Sequence, residues 1–257
     1  MKTKITTFRL LTIAFVLFTL PISALADSYP LYLCGDGTAI LKPDATTTAT
    51  LKAGDKVVWQ EWTSADQPMG SATEVPVVTN GVAPDFQVGG AALSKGEHRY
   101  KVFIKTADAT SCSGDVSPAL TLYNLPDASV SLGSPSQGSF CQGGSNPTVQ
   151  SSIVTATATT IATALTDVSY EYTWTATKNT VAVGDLSTIG VQSGNTFTLN
   201  NLADAGTYVL TASIKYVVAT GTGKLNSGDN KGCVKTSGAS SSIVVTPKPA
   251  TPTITFN

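Results

Sequence analysis

The chain reads as an all-β protein of two tandem sandwiches behind a cleaved export signal. Three observations predict this. Short apolar-alternating runs sit between Gly, Pro, Asn and Asp turns, and no run past the N-terminus has helical periodicity. One order of strands, turns and cysteines occurs twice. The first residues are basic, then apolar, then small.

The export signal comes first. Lys2, Lys4 and Arg9 precede an apolar run over 10–20, too short for a comfortable membrane span. Pro21 ends it, and Ala24-Leu25-Ala26 has the small-x-small form of a cleavage site. Residues 1–26 are therefore read as a signal peptide. An uncleaved anchor is disfavoured by the short run, and a lipoprotein by Tyr32 and Leu33 before Cys34, where small residues are needed. The expected location is secreted, periplasmic or at the cell surface. No later segment is apolar enough to span a membrane.

The remaining chain holds thirteen basic and seventeen acidic residues, a formal charge of −4. With Arg99 its only arginine, it has no electrostatic footprint for nucleic acid.

In the first unit, 27–124, residues 29–33 form a short strand ending at Cys34, and Gly35-Asp36-Gly37 is a turn. Residues 38–51, rich in Thr and Ala, read as one or two strands. Residues 57–63 form a strong strand with Trp59 and Trp62 on opposite faces. Residues 67–90 read as loop-rich, with weak strands near 75–78 and 85–88. Gly96-Glu97 turns into a long strand over 100–105; Cys112 and a closing strand over 119–123 follow.

After a linker at 124–127 the plan recurs over 128–246. Val130 and Leu132 begin it, and Cys141 stands before Gly143-Gly144 as Cys34 stands before Gly35-Asp36-Gly37. Residues 170–175 carry Trp174 and parallel the strand ending at Trp62. Asp204 and Gly206 turn the chain into a strand opened by Tyr208, the pattern of a tyrosine corner: ring in the core, hydroxyl bonded back to the turn. Lys231-Gly232-Cys233 matches Thr110-Ser111-Cys112, and 241–246 close the unit.

Four cysteines in an exported chain point to two disulfides. Spacing allows three pairings, and no C-x-x-C pair suggests zinc. The repeat favours Cys34–Cys112 and Cys141–Cys233, one per unit, each worth about 4 to 5 kcal/mol by chain entropy.

Each unit resembles the PKD-like or Ig-like modules of bacterial secreted adhesins and gliding-type surface proteins. The shared features are an early Cys before Gly, a central Trp strand, a Gly-x-Tyr entry and a late Gly-Cys. The second unit carries them as Cys141, Trp174, Gly206 with Tyr208, and Gly232 with Cys233. The first carries Cys34, Trp62, Gly96 and Cys112, and departs with His98 for Tyr208 and Ser111 for Gly232. The resemblance implies two tandem Ig-like β-sandwich domains and an adhesive or structural role without an active site.

The candidate site residues are each weighed against a structural role. His98 is the only histidine, lies at a strand entry, and has no G-x-S-x-G nucleophile to serve. A carboxylate-pair glycosidase needs no histidine, but the acids here sit mostly in turns. Trp62, Trp174 and Tyr208 are expected in the cores. Trp59 would then point outward, where it could contact a ligand such as a sugar, the basis for an alternative reading as a carbohydrate-binding module. Asp36 and Asp229 lie in oxygen-rich loops without the spacing for calcium, so no metal or cofactor is expected. The expected partners are other surface proteins or glycans.

The tail, 247–257, is Pro-rich and ends in Ile254 and Phe256, alternating as Val130 and Leu132 do. Three fates are open to it: a disordered remnant of a longer protein, fold-back on the second unit, or strand donation to another molecule. Pro252 confines pairing to Thr253 onward.

Overall fold

The computed structural model describes residues 28–108, 114–143, 150–228, 233–248, 250 and 253–255. The signal peptide, Cys112, Asp229 and Phe256 lie outside them.

The first sandwich contains β1 (Leu31–Leu33), β2 (Thr38–Leu41), α1 (Ala45–Thr50), β3 (Lys56–Trp62), β4 (Pro68–Pro76), β5 (Phe86–Gly89), β6 (Gly96–Lys105) and β7 (Leu120–Asn124). One sheet runs β4-β3-β6-β7-β1, and β2 with β5 forms the facing layer. Leu33, Ala39, Leu41, Val57, Trp59, Val88, Tyr100 and Leu122 fill the space between.

The second contains β8 (Val130–Leu132), β9 (Ser139–Cys141), β10 (Ser152–Ala158), β11 (Val168–Lys178), β12 (Val181–Ala182), a 3-10 turn (Leu186–Thr188), β13 (Gly190–Ser193), β14 (Thr196–Leu199), β15 (Gly206–Val218), β16 (Lys224–Asn226), β17 (Val234–Thr236) and β18 (Ile243–Thr246). The layers are β13-β14-β10-β8 and β12-β11-β15-β18-β9, with β17 also on β15. Alternation along β15 turns Tyr208, Leu210, Ala212, Ile214 and Tyr216 to one buried face. Its first half feeds the sandwich core, its second half the contact with the first sandwich.

The two sandwiches match in register. Leu33 pairs with Asn124, and Asn124 with Gly96. Phe140 pairs with Val245, and Val245 with Gly206. In both, the strand that leads to the early cysteine runs parallel to the closing strand. A serine device recurs too. Ser117 donates its N–H to Val102 O and accepts from Val102 N at Oγ; Ser237 does the same with Ala212.

Two local expectations are corrected. Residues 45–50 are helical rather than extended, because Asp44 caps the turn by accepting from Thr47 N–H at 2.9 Å. Residues 68–76 form a nine-residue edge strand rather than loop. Pro68 and Pro76 stand at its two ends, where missing N–H groups cost little.

Candidate functional site

The most elaborate site is the joint between the sandwiches. β16, from the loop after β15, pairs in parallel with the outer edge of β1. Cys34 N–H donates to Asn226 O, Lys224 N–H to Pro30 O, and Asn226 Nδ2 to Thr38 O. One six-stranded sheet thus crosses from one sandwich to the other. The approach needs glycine at two places. A Cβ on Gly37 would lie 2.0 Å from Asn226 O, and one on Gly223 2.2 Å from Tyr29 O.

A disulfide closes this joint. Cys34 is bonded to Cys233, with Cα atoms 5.3 Å apart and both residues buried. This corrects the expected pairing of one bond per unit. Cys141 lies level with Thr246, beside the Gly206 end of β15, whereas Cys233 O accepts from Tyr216 N near the other end. Ten residues of strand, roughly 33 Å, separate those levels, far beyond disulfide reach. Cys34 likewise sits at the Gly96 end of β6, while Gly114, two residues past Cys112, bonds Ile104 O near the other end. Among the described residues Cys141 is free and exposed.

Tyrosines fill the joint. The rings of Tyr29, Tyr32 and Tyr123 meet at 5.1–6.4 Å between centroids, and Tyr170 lies 4.6 Å from Tyr216. Tyr170 OH donates to Tyr216 OH, which donates to Pro126 O in the linker. Tyr32 OH accepts from Tyr29 N and donates at 2.7 Å to Asp167, a buried carboxylate of the second sandwich. Burial, then the bond from Tyr170, pushes the Tyr216 phenol well above the usual range, so it stays neutral as a donor. Leu125, Ala128, Leu165 and Val168 complete an apolar core shared by both sandwiches.

The tryptophan assignments are exchanged. Trp59 is buried and stacks on Phe86 at 5.3 Å between centroids, so it offers no exposed platform. Trp62 is half-buried on the opposite face, with Lys101 Nζ 4.3 Å above its ring and Asp66 paired to that lysine. Register explains this. Trp59 pairs with Val102 as Trp174 pairs with Ala212, so Trp59 is the true counterpart of Trp174. Trp62, three residues on along a strand in unbroken register with β6, faces the other side of the sheet. Trp174 is buried against Phe197.

Tyr208 is fully buried, and its hydroxyl donates to Asp204 O at 2.9 Å. His98, at the matching position, is also buried; its Nε2 donates to Ser94 O, four residues back as in the tyrosine case. Its Nδ1 meets Glu61 Oε1. Both ring nitrogens of the lone histidine are thus committed to a structural corner. Among the described residues no three His, Cys, Asp or Glu side chains gather where they could hold a metal. Nor is any described helix long and apolar enough to cross a membrane.

Sequence reading missed Gly37, Gly223, Tyr32 and Asp167. Gly37 was legible only as a turn residue; the others gave no signal, because their partners lie in the other unit.

No protein-family model and no curated protein matches the chain. Among solved structures, it is similar to the FN1–FN3 domains of chicken CNTN1, at 13% identity over 87% of this chain and 69% of that one, TM-score 0.35. It is also similar to the Ig1-2 module of the Drosophila receptor protein tyrosine phosphatase DLAR, at 12% identity over 85% and 95%, TM-score 0.25. The BSP domain of a biofilm associated protein follows, at 16% identity over 88% and 30%, TM-score 0.22.

Proposed function

We propose that the protein is an exported, non-enzymatic component of the bacterial cell surface, with an adhesive or structural role. Residues 27–124 and 128–246 serve as its two modules. The joint carries this reading. A cross-module disulfide belongs to an oxidising compartment, and it turns two sandwiches that could hinge into one stiff body. Stiffness across modules is of use to a spacer or adhesive arm. The engagement of His98 with Glu61 and Ser94 supports a structural use of the only histidine.

The test is made on the native organism. Cell fractionation should place the protein outside the cytoplasm with Asp27 as its N-terminus. Purified mature protein should bind intact cells or a surface polymer without altering it. Recovery from the cytoplasm with Met1 in place would overturn export, and turnover of a bound glycan would overturn the non-enzymatic reading.

A further inference from the structure

The bond between the sandwiches sets the path that a pull on the chain must follow. Cys34 directly follows β1, and Cys233 directly precedes β17, with β18 after it. The separation of 199 residues takes in β2 to β16, nearly all of both sandwiches. Tension between the two ends of the chain therefore has a short covalent route. It runs through β1, across the sulfur bridge and along 234–246.

The second leg of that route is almost straight. Val234 pairs with Lys215 and Thr236 with Ser213; Ile243 pairs with Tyr208 and Val245 with Gly206. Eleven steps of chain, from Val234 to Val245, thus cover nine steps of β15, from Lys215 to Gly206. The surplus of two residues is worth roughly 7 Å. Even this surplus is pinned between the two ladders. Ser237 N–H donates to Ala212 O and Ser240 N–H to Leu210 O. In return Ser237 Oγ accepts from Ala212 N at 3.1 Å, and Ser240 Oγ from Leu210 N at 3.0 Å. At the far end β18 lies between β15 and β9; at the near end buried Cys233 accepts from Tyr216 N–H. Ladder bonds stand across a strand, so a strand pulled from its first residue to its last loads them all at once. One pulled sideways gives them up one at a time.

The first leg is enclosed too. β1 lies between β7 and β16, with Tyr32 and Leu33 paired on both sides. Tyr32 OH is tied to Asp167 of the second sandwich. A pull that enters through the first sandwich meets the same route. Two covalent links cross the joint, the linker at 125–127 and Cys34–Cys233. The linker leads through the second sandwich from β8 before it reaches β18, whereas the disulfide leads straight to β17 and β18. The shorter route takes the strain.

We propose that Cys34–Cys233 and segment 234–246 form a tension strap, which keeps the second sandwich folded when the chain is pulled between its N-terminal part and its tail. Pulled by its two ends, the chain leaves both sandwiches outside the loaded path. The bond withholds about 700 Å of chain, at roughly 3.5 Å for each of its 199 residues. Ser237 and Ser240 are the pins that keep the strap taut against β15. The inference rests on the structural part of the role proposed above and not on which surface the protein meets.

The experiment stretches single molecules of the full mature chain between handles at its two ends, in optical tweezers. The oxidised parent should lengthen by no more than about 100 Å, the reach of the residues outside the bond. Reductant added once the strap has lengthened should then release about 700 Å more, as the sandwiches unfold. Cys34→Ser with Cys233→Ser should release that length without reductant, and its total length reads the same whether or not the variant folds well. Ser237→Ala with Ser240→Ala keeps the bond. It should reach the same final length as the parent, but at lower force when both are pulled at one loading rate. Three results would overturn the proposal: an oxidised parent that releases several hundred Å without reductant, a variant lacking the bond that lengthens no further than the parent, or a serine variant whose strap comes away at the parent's force. These curves use purified protein, whereas export and adhesion are decided on cells, so either reading can fail while the other stands.

Discussion

Leu33–Asn124–Gly96 and Phe140–Val245–Gly206 are the same three-strand register in the two sandwiches. Yet beside the first lies a covered edge and a closed disulfide, and beside the second, among the described residues, an edge with no further strand and an unbonded cysteine. The corners differ as well. The second sandwich satisfies a turn carbonyl with Tyr208, the first with His98, which brings Glu61 with it. The plan therefore fixes where a donor must stand and where a strand edge must lie. It leaves open which side chain donates and which strand, if any, covers an edge.

The largest effect should come from opening the closed edge. The Cys34–Cys233 bond spans 199 residues, and chain entropy assigns it about 5 kcal/mol. Cys34→Ser with Cys233→Ser should lower stability by up to that amount and split thermal unfolding into two resolved transitions. A single unchanged transition would mean that the shared sheet and tyrosine core hold the joint without the bond. Gly37→Val, with its Cβ directed at Asn226 O, should uncouple the sandwiches in the same way while leaving each one folded.

Next in size are the matched tryptophans. Trp59→Ala and Trp174→Ala each empty a buried site and should cost about 3–5 kcal/mol. Trp62→Ala should cost much less, since that ring is only half-buried and faces Lys101. Urea unfolding of the three variants compares them. Equal losses for Trp59 and Trp62 would undo the assignment of Trp59 as the counterpart of Trp174.

Within the joint, Tyr32→Phe removes the donor to buried Asp167 and should cost about 1–3 kcal/mol. Alkali should find the same region. The phenols of Tyr216 and Tyr170 are raised first by burial, and that of Tyr100, in the first core, to about 12. A raised folded value means that unfolded tyrosines ionise first, at about pH 10. Stability should therefore be full below pH 10 and fall as pH rises above it. Tyr216→Phe should flatten that fall in a pH series of thermal melts. An identical slope would show that Tyr216 is not a source of it.

Much of the architecture was legible because it is local. Alternation announced β3, β6, β11 and β15, and Asp204, Gly206 and Tyr208 announced the corner. What failed depends on partners far away in sequence. The repeat showed that Cys34 and Cys141 are equivalent, but equivalence does not say whether a cysteine pairs within its unit or with the next. Trp59 and Trp62 had to face opposite ways, but which entered the core was decided by the register against β6 and by Phe86 across the sandwich. Residues 67–90 read as loop-rich, although Pro68 and Pro76 stand at the two ends of a strand. The Asp167 carboxylate looked like any turn acid until Tyr32 met it from the other unit.

The smallest effect isolates one hydrogen bond at the corner. Tyr208→Phe keeps the buried ring and removes only the bond to Asp204 O, so it should cost about 1 kcal/mol. Tyr208→Ala should cost several times more through the cavity it leaves. The first sandwich supplies the contrast. His98→Ala loses a smaller ring but strands both Ser94 O and the Glu61 carboxylate, so hydrogen bonding rather than volume should dominate its loss. Adding Glu61→Gln to His98→Ala should recover part of that loss by removing the stranded charge, whereas no neighbouring substitution is expected to repair Tyr208→Phe. The readout is a double-mutant cycle at His98 and Glu61 beside the single Tyr208 series, in urea at neutral pH. Coupling near zero between His98 and Glu61 would mean that the carboxylate is a bystander, and that the two corners differ in shape alone.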